Sequence, residues 1–76
     1  MSPKLPRVAG AELLRALERD GWVRHHQVGS HLVLRHPARS GRVVVPMHAG
    51  HTIGPGLRSK MLKDASLTAD DLRGLL

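Results

Sequence analysis

Six histidines, His25, His26, His31, His36, His48 and His51, stand together between Gly21 and Lys63, and imidazole is the side chain that titrates nearest neutral pH. The same window carries seven cations, Arg24, Arg35, Arg39, Arg42, Arg58, Lys60 and Lys63, and no Asp or Glu. The six carboxylates lie outside it: Glu12, Glu18 and Asp20 before, Asp64, Asp70 and Asp71 after. Imidazoles among cations suggest two chemistries, metal binding or proton transfer on a polyanion.

A metal site is poorly supplied. His48 and His51 are spaced H-x-x-H and His25 adjoins His26, but no carboxylate or cysteine accompanies either pair. A two-metal nuclease needs several carboxylates, which this window lacks. Neither a metal nor another cofactor is expected.

Metal-free chemistry on RNA is better supplied. RNA carries its own nucleophile, the 2′-OH, which a near-neutral imidazole deprotonates, while cations hold the phosphate and offset developing charge. The stretch "VGSHLVLRHP", Val28 to Pro37, sets His31 directly after Gly29 and Ser30, at the mouth of an apolar run. Glycine permits close backbone approach to a phosphate, and the serine hydroxyl and N–H groups donate to it. Arg24, Arg35, Arg42, Arg58 and Lys60 are the candidate phosphate contacts, chosen by position in the acid-free window. From the residues alone, His31 reads either as a catalyst or as an inert surface histidine.

The chain that positions these groups has 76 residues, enough for one small domain. At 41% hydrophobic it escapes the composition of disorder, and without cysteine it suits a reducing cytoplasm. No apolar run approaches the roughly 20 residues that span a bilayer, and "MSPKLPRVAG" lacks a secretory leader's apolar core. A cytoplasmic domain without membrane association is expected. The formal charge of +6, gathered in one window, favours a polyanionic partner.

Residues 1–9 read as an extended arm, because Pro3 and Pro6 disfavour helix before them, and 10–76 as a single domain. Gly10–Asp20 spaces Leu13, Leu14 and Leu17 along one helical face, with Glu12 near the start and Gly21 as the stop. Trp22 reads as core, and one aromatic residue in the chain argues against a base-stacking platform. Trp22–Val28, "HLVLRH" and "RVVVP" read as three strands of an antiparallel meander, with a turn at Ser40-Gly41 between the last two. Alternation sends Leu32 and Leu34 to one side, and His31, Val33 and Arg35 to the other. His36 shares the leucine side, which points to packing or turn capping. "MHAGHTIGPG" reads as loop. A second helix from Leu57 aligns Leu57, Met61, Leu62 and Ala65, and a short last helix carries a Thr68/Asp71 cap. The expected fold is α+β, order α-β-β-β-α, a three-stranded antiparallel sheet with two helices on one face plus a short C-terminal helix. The opposite face, bearing His31, stays open.

"DGW" at Asp20–Trp22, "GSH" at Gly29–His31, "RHP" at Arg35–Pro37, "VVVP" at Val43–Pro46 and I-x-x-G at Ile53–Gly56, followed by "LRSKMLKDASL", resemble the HicA toxins of type II toxin–antitoxin systems. The resemblance runs in order from about Val8 to Leu67. It implies a fold like a double-stranded-RNA-binding domain, a ribosome-independent endoribonuclease acting on mRNA, and a HicB-like antitoxin partner. It also implies that the histidine after Gly-Ser, His31, is the active residue. The chain departs from the family pattern at Leu32, where a second histidine is common, and at Gly56-Leu57-Arg58, where Gly-Thr-Leu is common. It departs again at Ala9, where a serine is common. A non-catalytic RNA-binding module of the same shape is the alternative, and a scaffold that acts only by binding protein would leave the charge segregation unexplained.

Overall fold

The computed structural model describes residues 8–47 and 52–76. The elements are β1 (Val8–Ala9), α1 (Gly10–Arg19), β2 (Val23–Val28), β3 (His31–His36), β4 (Arg39–Pro46), β5 (Thr52–Ile53), α2 (Pro55–Asp64) and α3 (Ala69–Leu75). Strands β2, β3 and β4 form the antiparallel sheet, in that order. The expected α-β-β-β-α core with a short last helix is therefore present. His48 and His51 lie outside the described residues.

The leucine spacing of α1 does what it implies: Leu13, Leu14 and Leu17 are buried, and Glu12 accepts a hydrogen bond from the Ala9 N–H at 3.2 Å. Gly21 follows at φ +104°, a left-handed conformation that ends the helix without the penalty a Cβ would incur. These leucines pack with Leu32, Leu34, Val43 and Val45 of the sheet and with Met61 and Leu62 of α2. Trp22 joins them, as expected of the sole aromatic.

Three local expectations are corrected. The β3–β4 turn falls at Pro37-Ala38, bracketed by the His36–Arg39 pair, rather than at Ser40-Gly41. Proline pre-sets the first turn position. Gly41, at φ +84°, instead serves a bulge, since the register jumps from Leu34–Val43 to His36–Arg39. Helix α2 begins at Pro55, whose missing N–H costs nothing at a first helical position, and Leu57 on its first turn is 42% exposed. The segment read as loop contains β5, which pairs Ile53 with Val8 and Thr52 with Ala9. Val8 and Ile53 are both buried in the core.

Two devices secure the ends of the helices, the first from the sheet and the second within the helix itself. The Arg39 guanidinium pairs with Asp20, which caps α1, and donates at 3.2 Å to the Ala65 carbonyl at the end of α2. A cation there offsets the negative ends of both helix dipoles. Helix α3 starts with a reciprocal cap: Thr68 Oγ1 accepts from the Asp71 N–H at 3.1 Å, and the Asp71 carboxylate accepts from the Thr68 N–H at 2.8 Å. The hydrogen bond from Thr68 holds the Asp71 carboxyl below its ordinary range. Leu72 of this helix is fully buried. Among the described residues, no helix is long and apolar enough to cross a membrane.

Candidate active site

Gly29 and Ser30 form a two-residue hairpin turn, bracketed by the Val28–His31 pair. Gly29 has φ +58° and Ser30 has no positive φ, the pattern of a type II′ turn, whose twist matches that of its strands. Gln27 Nε2 donates to the Gly29 carbonyl at 2.9 Å, and the Met47 N–H donates to the Ser30 carbonyl at 2.6 Å. The tight turn thus fixes His31 as the first residue of the central strand, between Val28 on β2 and Pro46 on β4.

Cross-strand partners share a face, so the register lists what stands beside His31. Val23 lies opposite Arg35, His26 opposite Val33, and Val33 opposite Val44. Arg42 precedes buried Val43 and so also turns to the His31 side. This face, which no described element covers, carries three exposed valines: Val23, Val28 and Val44. Val33 is only 6% exposed yet stands outside the core cluster, because its cross-strand neighbours cover it. All six carboxylates lie on helices or cap them, so none shares the face. Among the described residues, no three His, Cys, Asp or Glu side chains come close enough to hold a metal ion.

The five cations singled out in the sequence do not assemble in one place. Arg35 and Arg42 share the face of His31, with Arg35 Nη1 donating to the Gly41 carbonyl at 3.4 Å. Arg24 pairs with Leu34 on the helix-covered side, where it lies 3.5 Å from Glu18 of α1. Lys60 is held 3.0 Å from Asp64 one turn along α2, and Arg58 also belongs to α2. Both ion pairs are exposed and contribute little to stability.

His36 is built into the fold. Its Nδ1 accepts from the Ala38 N–H at 3.0 Å, so its Nε2 carries the hydrogen and donates to the Asp20 carbonyl at 2.9 Å. The ring also meets Trp22 edge-on at 5.3 Å. It both packs and caps the turn. His36→Ala is expected to cost about 1–3 kcal/mol, through the unpaired Asp20 carbonyl and the lost ring contact, without slowing any reaction at His31. Chemical denaturation checks the first expectation and the specific rate of the folded variant the second.

The sequence reading missed one arrangement. The β2–β3 register shifts between Arg24 and His26, leaving His25 as an extra residue. The rings of His25 and His26 meet at 5.0 Å and 73°, whereas successive side chains of a regular strand point to opposite faces. The bulge has brought both imidazoles to one side. The adjacency of the two histidines was the only signal in the sequence.

A family model described as the HicA toxin of bacterial toxin–antitoxin systems matches residues 10–67. No curated protein matches the chain.

Proposed function

The chain belongs to the HicA toxin family of bacterial toxin–antitoxin systems, and we propose that it is a metal-independent, ribosome-independent endoribonuclease that cleaves mRNA with His31 as general base. The observation that carries the reading is the position of His31 on an open sheet face that bears Arg35 and Arg42 and no carboxylate. In the reaction, neutral imidazole takes the proton of the 2′-OH. The 2′-oxygen attacks the adjacent phosphorus, and the bond to the 5′-oxygen breaks. The products are a 2′,3′-cyclic phosphate and a 5′-hydroxyl end. Arg35 and Arg42 suit the phosphate, where a guanidinium offsets the charge that grows in the transition state. Gly29 and Ser30 complete the edge along which the backbone of the RNA would pass.

A toxin requires restraint, and a HicB-like antitoxin is the proposed partner. The exposed valines beside His31 offer apolar area, and the flanking arginines attract an acidic surface. A partner docked there covers His31 and excludes RNA.

The test is purified protein with a defined RNA in EDTA, followed by analysis of the ends. Cleavage is expected to continue in EDTA and to leave a cyclic phosphate or its hydrolysed 3′-phosphate, opposite a 5′-hydroxyl. Loss of cleavage in EDTA with recovery in Mg²⁺ would show a metal-dependent nuclease instead. Binding without cleavage under every condition would show an RNA-binding module.

A further inference from the structure

A base at the 2′-oxygen solves half of the proton problem in this reaction. The departing 5′-oxygen leaves as a poor alkoxide unless a proton reaches it, and Arg35 and Arg42 do not readily release one. The uncovered face holds a second imidazole able to do so. His26 is directly opposite Val33, and Val28 is directly opposite His31, so His26 and His31 are diagonal neighbours on one face. Diagonal neighbours in an antiparallel pair lie about 7–8 Å apart, within reach of long side chains. Two imidazoles so placed can bracket one phosphodiester.

We propose that His26 is the general acid of the cleavage step, protonating the 5′-oxygen as His31 removes the proton of the 2′-hydroxyl; the assignment rests on the endoribonuclease reading above. His26 enters as imidazolium and leaves neutral, while His31 enters neutral and leaves as imidazolium. The P–O5′ bond breaks as the P–O2′ bond forms, so one proton moves to each histidine's partner oxygen or from it, and no oxidant or metal is consumed. Exchange with water restores both rings. The β2 bulge serves this geometry. It inserts His25, whose ring packs edge-on against His26 at 5.0 Å. Bulges of this kind commonly re-aim side chains beside active sites. Val33, directly opposite His26, is buried and gives the ring an apolar neighbour on the same face.

The experiment compares two RNA substrates, one with the natural 5′-oxygen at the scissile bond and one with sulfur there. A thiolate leaves without protonation, so loss of a general acid matters only for oxygen. His26→Ala and His26→Gln should cleave the oxygen substrate about 10²–10⁴-fold more slowly and the sulfur substrate within about tenfold of the unaltered protein. His31→Ala should fail on both, since it acts at the 2′-oxygen. Equal losses on both substrates for the His26 variants overturn the assignment, as does unaltered cleavage. The sulfur-specific rescue appearing in His25→Ala and not in the His26 variants overturns it as well. An unaltered protein that cleaves neither substrate overturns the endoribonuclease reading along with it. The His26 ring is exposed, and the glutamine variant keeps a polar side chain there, so both proteins are expected to fold.

Discussion

His31→Ala protein is expected to melt as the unaltered chain does and to cleave RNA about 10²–10⁴-fold more slowly, the usual cost of removing one acid–base group. The two halves of that result come from different parts of one strand. His31 is exposed at the first position of β3, and its removal opens no cavity in the core formed by Leu32 and Leu34. The backbone there is secured independently, by the type II′ turn at Gly29-Ser30 and by the hydrogen bond from Met47 to the Ser30 carbonyl. The chemistry has no such redundancy. His36 is committed to Asp20 and Ala38, and His26 stands at the diagonal position rather than at the turn. Initial rates with defined RNA, thermal melts and growth arrest at matched protein levels together check the expectation. Growth arrest by His31→Ala at an unchanged protein level would remove His31 from the mechanism.

How much of this was legible in the sequence depends on the range of the interactions involved. Helix α1 was legible because three leucines at helical spacing and a terminal glycine are local signals, and the helix needs nothing else to declare its inner face. The two faces of β3 were legible because alternation has a fixed period of two. The turn at Pro37-Ala38 was not, because Ser40-Gly41 offers an equally good local signal and the cross-strand register alone shows that Gly41 serves a bulge. The β1–β5 pairing joins Val8 to Ile53, and two-residue strands leave no periodicity to read. Leu57 has the right phase to face the core, but phase does not say where the covering sheet ends. At the site, Gly-Ser before His31 reads as room for a phosphate, and the cross-strand register adds that the pair forms the hairpin turn. The cations were harder. Glu18 neutralises Arg24 from another element, which sequence distance conceals, whereas the Lys60–Asp64 pair is an i, i+4 spacing that could have been read. The His25 bulge was hidden because an inserted residue leaves composition and average alternation unchanged.

Leu34→Ala should be the converse of His31→Ala, losing the fold while leaving the chemical groups in place. Leu34 is fully buried, three residues along the same strand but on the opposite face. Its neighbours across the ladder are Arg24 and Val43, and α1 and α2 close over it. Truncating such a leucine costs about 2–5 kcal/mol, from lost transfer energy plus the cavity that surrounding groups fail to fill. A 76-residue domain has about 4–11 kcal/mol in total at ordinary stability per residue. The substitution therefore removes a large share of the stability, and each kcal/mol lowers the melting temperature of a domain this size by about 4–8 °C. A drop of at least about 10 °C is expected in a thermal melt followed by circular dichroism. Val33→Ala, on the adjacent residue, is the internal control. Val33 is also buried, but by side chains of the open face rather than by helices, so those neighbours can relax toward it and the melting temperature should fall less. The activity of Leu34→Ala then separates the two effects. Measured below its melting temperature and per folded molecule, it should retain the rate of the unaltered protein, while toxicity in cells falls with the amount of folded protein. A Leu34→Ala protein that melts with the unaltered chain would mean that the helices do not close over this face of the sheet in solution.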